Sequence, residues 1–252
     1  MPNETPQFRW ALQLTGARMD MEDAVTLFGA NSDPTIRTMD DGNGNTINLL
    51  TSPQLDLFNT AREVDEAAKR LLGIVNGVLF VLEPGRAPLA AAGVRERNAN
   101  GGWNAYAIAG TVNLIERNDR LRAVGMAILG GEPFPQHTRP PAALRWAAAA
   151  QSDQVVGDVF IYLSGAPDWF DFYKAFELMR DDINQRIGGQ HRQEEMGWPP
   201  KKDLDHFTLS AQVYRHAPPW EGGYTPAKAM PLGKATRYIQ SLASIWLAWR
   251  LP

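Results

Sequence analysis

Apolar and polar positions alternate along residues 8–15, the signature of a half-buried strand, and Gly16 ends the run. Residues 19–28 then place Met21, Val25 and Phe28 at helical spacing, with Asp20, Glu22 and Asp23 in a first turn where the helix dipole favours acids. Two β-prone runs, 35–39 and 46–50, flank Asp40-Asp41-Gly42-Asn43-Gly44-Asn45 and predict a hairpin. The same six residues imitate a calcium loop. Thr46 stands where that loop needs glycine and Ser52 where it needs a bidentate acid, so the reading is a turn. Residues 60–75 give the clearest helix of the first half. Thr60 and Glu63 make a capping box, and Val64, Ala67, Ala68, Leu71, Leu72 and Val75 form one stripe fit to cover a sheet. Asn76-Gly77 ends or bends that helix, and residues 78–82 read equally as its continuation or as a buried strand. Residues 89–97, a turn at 98–102, and runs 103–115 and 121–129 predict two or three further antiparallel strands.

The pattern changes at residues 130–141, where four prolines crowd twelve positions. Beyond them the spacing is helical at 142–151, 154–163, 168–187, 204–214 and 232–249, with glycine and proline breaks between. Asp168 is a good N-cap for the third of these, and Phe172, Phe176, Met179 and Ile183 form its stripe. In the last helix, Ile239, Leu242, Trp246 and Trp249 share one face. The expected fold is therefore α+β: an N-terminal antiparallel sheet with one long packed helix, followed by a C-terminal all-α bundle. The proline cluster is the natural boundary between a sheet domain at 1–132 and a bundle domain at 140–252.

Composition narrows the functional classes. Apolar residues at 44% suit a globular core, and a formal charge of −3 gives no overall basic field for non-specific nucleic-acid binding. Charge is uneven: residues 1–60 carry eight acidic and three basic side chains, while 201–252 lean basic, so an anionic partner is expected at the C-terminal half. Cysteine is absent, which removes disulfides, thiolate nucleophiles and sulfur-ligated zinc and fits a reducing cytoplasm. The N-terminal residues lack a signal-peptide pattern. The longest apolar run, 71–82, is about half a membrane span and contains Asn76. The expectation is a cytoplasmic protein with no membrane segment.

Chemistry concentrates in residues 168–217, which hold three of the four histidines, His191, His206 and His216. Leu204, Phe207, Ala211 and Tyr214 predict a buried face with His206 at its margin, and Arg215 falls on that face if the helix continues. A buried unpaired charge is costly, so either the helix ends there or Arg215 meets an acidic or anionic partner. A histidine moving protons beside an arginine steadying a phosphate can cleave RNA without metal, because the ribose hydroxyl is the nucleophile. Arg186 and His191, with four residues between them, carry those residue types, as do Arg215 and His216. No histidine spacing suits a metal, and phosphate loops and dinucleotide fingerprints are missing, so neither metal nor cofactor is expected. Trp198 and Trp220, in proline-rich loops, are candidate stacking surfaces for a ligand.

The text Phe207-Thr208, Tyr214-Arg215-His216-Ala217, Pro218-Pro219, Met230-Pro231-Leu232 and Ile245-Trp246-Leu247 resembles the C-terminal part of a family of uncharacterised bacterial proteins. The front half, with Leu14-Thr15-Gly16, Glu63-Val64, Leu71-Leu72 and Asn76-Gly77, is similar to them too. More distantly, a bundle with an Arg-and-His element before a final long helix resembles the HEPN superfamily. That superfamily includes metal-independent ribonucleases and non-catalytic RNA- or nucleotide-binding bundles, and its motif is an arginine followed a few residues later by a histidine. Arg186 and His191 have the gap but straddle a helix end; Arg215 and His216 are adjacent. The expected role is non-catalytic binding of a ligand, RNA or a protein partner, a second copy of the chain among them, through a groove between sheet and bundle. The alternative that the resemblance implies is a ribonuclease using these His and Arg residues.

Overall fold

The computed structural model describes residues 8–29, 32–41, 44–83, 85–107, 140–165, 167–187, 197–215 and 228–251. Five strands, β1 (Trp10–Thr15), β2 (Thr35–Asp40), β3 (Thr46–Thr51), β4 (Ala90–Arg97) and β5 (Trp103–Tyr106), form one antiparallel sheet in the order β2-β3-β1-β4-β5. The alternation read from residues 8–15 sets its inner face. Leu12 lies opposite Leu50 on one side and Val94 on the other, with Ile36 opposite Leu50, so one row of aliphatic side chains crosses four strands. The hairpin expected at residues 35–50 is β2–β3. Its turn is held by Asp41, whose carboxylate accepts the Asn45 backbone N–H at 3.1 Å, and by Gly44 at φ +83°. The strands expected beyond Tyr106, at 108–129, lie outside the described residues, as does most of the proline cluster.

Helices α1 (Arg18–Leu27) and α2 (Ala61–Leu82) interleave with the strands, and α3 (Pro140–Ser152), α4 (Gln154–Leu163), α5 (Trp169–Ile187), α6 (Lys201–Arg215) and α7 (Leu232–Arg250) follow. The fold is α+β, with the sheet N-terminal and most of the helices C-terminal. None of the helices among the described residues is long and apolar enough to cross a membrane.

The Thr60 hydroxyl and the Glu63 carboxylate cap α2 reciprocally, and hydrogen bonding to Thr60 lowers the Glu63 pKa. The helix runs unbroken through Asn76-Gly77 to Leu82, so residues 78–82 continue it. Both residues that read as a breaker serve tertiary contacts. The Asn76 side chain donates to the Leu89 carbonyl and accepts from its N–H, each at 2.9 Å, which fixes the approach to β4. A Cβ on Gly77 would stand 2.3 Å from the Phe160 carbonyl oxygen, so only glycine lets α4 come this close.

This placement gives α2 two partners. It packs on β1 and β4 on one side and on α3, α4 and α7 on the other. One continuous cluster of buried side chains therefore joins Trp10, Leu12 and Leu14 of the sheet through Val75 and Val78 to Phe160, Phe172, Phe207 and Trp246 of the helices. A polar knot ties the helices together. Buried Asp182 of α5 accepts from the Trp246 indole at 3.0 Å and from Arg186 at 2.9 Å, and pairs with Arg250, which also reaches Asp153 at the cap of α4.

Candidate functional site

Helix α5 starts where Asp168 turns its carboxylate onto the free N–H groups of Phe170 and Asp171, at 2.7 and 3.1 Å. Asp171 returns the contact by accepting the Asp168 N–H at 3.3 Å. Burial pushes the Asp171 pKa up, the nearby Asp168 charge adds to that, and the hydrogen bond from the Asp168 backbone opposes it. This reciprocal cap fixes the next two side chains in opposite senses. Trp169 is buried against Phe207 and Phe172, while Phe170 faces out, 48% exposed.

The end of α6 meets them. Tyr214 lies flat on Trp169, ring centroids 5.3 Å apart and planes 9° from parallel, and is 50% exposed. The sequence stripe places Tyr214 on a buried face with Phe207 and Ala211; those two are buried, and Tyr214 is instead the rim of an opening. At the last position of α6, the Arg215 guanidinium sits 4.2 Å from the Tyr173 ring centroid and 5.5 Å from that of Phe170. Such contacts are worth about 0.5–2 kcal/mol each, depending on desolvation. Its Nε is sealed from solvent without an acceptor, and the cation has neither a carboxylate nor a hydrogen-bond partner among the described residues. The described helix reaches Arg215, and the groups that face its guanidinium there are aromatic rings rather than an acid.

Asp168, Trp169, Phe170, Tyr214 and Arg215 line an open groove of about 580 Å³. Its walls are rings, its floor begins an aromatic column, and it carries one cation without an acid partner. The column continues inward from Trp169 through Phe207 to Tyr238, whose hydroxyl is buried without a partner among the described residues. Burial, reinforced by the charge of Asp203, raises the Tyr238 pKa, so that phenol stays protonated. Where α2, residues 86–88 and the end of α4 meet, the recess measures only about 10 Å³, room for one water.

The other candidates fall elsewhere. Arg186 lies at the opposite end of α5, about 24 Å from Phe170 by helical rise, and donates to Asp182. His206 precedes Arg215 by nine residues on α6, about 14 Å along the axis, with its Nε2 3.3 Å from the Lys228 carbonyl oxygen. There it helps hold the segment before α7, as does Ser210, which accepts the Met230 N–H at 2.8 Å. Trp198 is 4% exposed and part of the core, its indole N–H without a partner among the described residues. His191, His216 and Trp220 lie outside the described residues. No group of three His, Asp or Glu residues that could hold a metal ion occurs among the described residues.

Trp169 and Phe170 are the site residues that sequence reasoning passed over. The signal was available: Phe170 stands out of phase with the Phe172, Phe176, Met179, Ile183 stripe, so a large ring there has no core to enter. Comparison with known proteins adds no relative, since no protein-family model, curated protein or solved structure matches the chain significantly.

Proposed function

We propose that this protein binds, without transforming it, a ligand that joins a flat ring to a negative charge: a nucleotide, free or as a unit of an RNA strand. The site is the groove between the start of α5 and the end of α6. One observation carries the reading. Arg215 is held in place by two aromatic rings, with no acid among the described residues to satisfy it. A guanidinium so positioned is oriented before any ligand arrives and offers its outer N–H groups to phosphate or carboxylate oxygens. Phe170 and Tyr214 supply half-exposed faces on which a base can stack, a contact worth about 1–3 kcal/mol.

The test is titration of the full chain, by calorimetry, with a nucleoside monophosphate, with the matching nucleoside, and with a short single-stranded RNA. Binding of the monophosphate but not the nucleoside, weakened about tenfold or more by Arg215→Gln and by Tyr214→Ala, is the expected result. Preference for RNA over the monophosphate identifies the strand as the source. Equal binding of nucleoside and monophosphate, or no effect of Arg215→Gln, overturns the proposal.

The enzymatic alternative rests on the sequence, in which His216 directly follows the groove residue Arg215. A metal-independent ribonuclease of that kind leaves cyclic-phosphate ends on RNA in the presence of EDTA and loses them on His216→Ala. Intact RNA under those conditions leaves binding as the function.

A further inference from the structure

The groove between α5 and α6 holds a second charge that phosphate binding leaves unused. Asp168 lines it together with Arg215. The two do not neutralise each other: among the described residues Arg215 has no carboxylate within about 4 Å, the reach of an ion pair. A groove with an unpaired cation and an unpaired carboxylate fits a ligand that carries a negative group at one end and hydrogen-bond donors at the other. A stacking ring is tied to both charges. Phe170 follows Asp168 by two positions, and its ring centroid lies 5.5 Å from the Arg215 guanidinium.

The Asp168 carboxylate is divided between two tasks. Its Oδ1 accepts the Phe170 and Asp171 N–H groups at 2.7 and 3.1 Å, which fills both lone pairs of that oxygen. Its Oδ2 carries no hydrogen bond among the described residues, and the residue is exposed. The two cap bonds hold the open oxygen still beside the Phe170 ring, so the acceptor is in place before a ligand arrives. The orientation of a bound nucleotide follows. A phosphate is kept from the start of α5, because the N–H groups of Phe170 and Asp171 are engaged and the carboxylate that engages them repels a second anion. It goes to Arg215, which leaves the edge of the stacked base to Asp168.

An ionised carboxylate only accepts, so it sorts bases by the donors they present. Guanine is the one RNA base whose Watson–Crick edge sets two N–H donors side by side, N1–H and the N2 amino group. Adenine and cytosine place a ring acceptor next to their amino donor, and uracil flanks its N3–H with carbonyls, so each of these turns a lone pair towards the same oxygen. We infer, on the basis of the nucleotide reading above, that the groove selects guanine and that Asp168 is the residue that sets this preference. Arg215 takes the phosphate, Phe170 and Tyr214 take the ring, and the Oδ2 of Asp168 takes the N1–H and N2–H donors.

The experiment is calorimetric titration of the full chain with guanosine, adenosine, cytidine and uridine monophosphates, and with a short uridylate strand carrying one guanine. Guanosine monophosphate is expected to bind about tenfold or more tightly than the other three. In Asp168→Asn the side-chain oxygen keeps the cap of α5 while the open acceptor and its charge are lost. Guanosine monophosphate should then fall to the level of the others, with little change in the thermal melt. The ranking of the four bases by the wild type needs no variant, and Asp168→Ser repeats the comparison with a second good cap. Whichever of the mononucleotide and the strand binds more tightly identifies the source of the guanine. Equal binding of the four monophosphates, or a preference for another base, overturns the inference and leaves the nucleotide reading in place. A guanine preference that survives in both Asp168 variants removes Asp168 from the assignment and overturns it too. Binding of none of the monophosphates overturns both. So does displacement of guanosine monophosphate by an equal concentration of free tryptophan, which assigns the two charges to an amino acid.

Discussion

At Asp182 the donors of two helices converge on one buried carboxylate, and its neighbours have few alternatives. The Trp246 indole and the buried end of Arg250 both face it, and among the described residues Arg250 has only Asp153 as a second acid. Asp182→Ala is expected to lower stability by about 3–5 kcal/mol, read as a shift of the urea midpoint, because it leaves a buried cation half-compensated. Arg186→Gln removes a half-exposed partner of the same acid and should cost about 1 kcal/mol or less. Asn76→Ala, which strips both hydrogen bonds from Leu89, should cost about 1–3 kcal/mol by the same measurement. None of this is legible along the chain. Trp246 is 64 residues from Asp182, and no periodicity names the partner of a lone polar residue on a buried stripe. Arg215 is the instructive intermediate case. The cost of burying a cation marked it as needing compensation, but the rings that supply it come from α5, and only the crossing of two helices brings them there.

Elements were far more legible than their contacts. The helices after the proline cluster, the hairpin at residues 35–50 and the capped start of α2 follow from spacing and caps, which are local properties. Asn76-Gly77 shows where local reasoning stops, since the pair looks like punctuation and is instead the close crossing of α2 and α4. Gly77→Ala tests that crossing. Helix propensity alone would make alanine favourable by about 1 kcal/mol, whereas contact with the Phe160 backbone should make it destabilising by about 1–3 kcal/mol. A thermal melt gives the sign directly. The start of α5 carries a pH prediction. Burial raises the Asp171 pKa above its unfolded value, so its contribution favours the fold at low pH and is lost as pH rises through the raised value. Relative to Asp171→Asn, the wild type should therefore lose stability as the pH climbs upward from about 4, the ordinary value of an aspartate, in melts at several pH values.

On the scale of the whole molecule, the proline cluster marks a change of pattern, and the core runs across it through α2. Residues 140–252 produced alone would lack the helix that α3, α4 and α7 pack against. Such a fragment is expected to melt without a cooperative transition, while the full chain melts in one, a comparison that calorimetry or circular dichroism makes directly. The proposed binding groove sits at the outskirts of that arrangement, where α5 begins and α6 ends. The shared helix has a kinetic corollary. Walled in by strands on one flank and helices on the other, the amides of residues 64–81 can meet deuterium only when everything opens at once. Their exchange rates should report the global free energy of unfolding, whereas amides around Trp169 and Tyr214 trade protons through local fraying, leaving the groove free to adapt while the axis of the protein stays still.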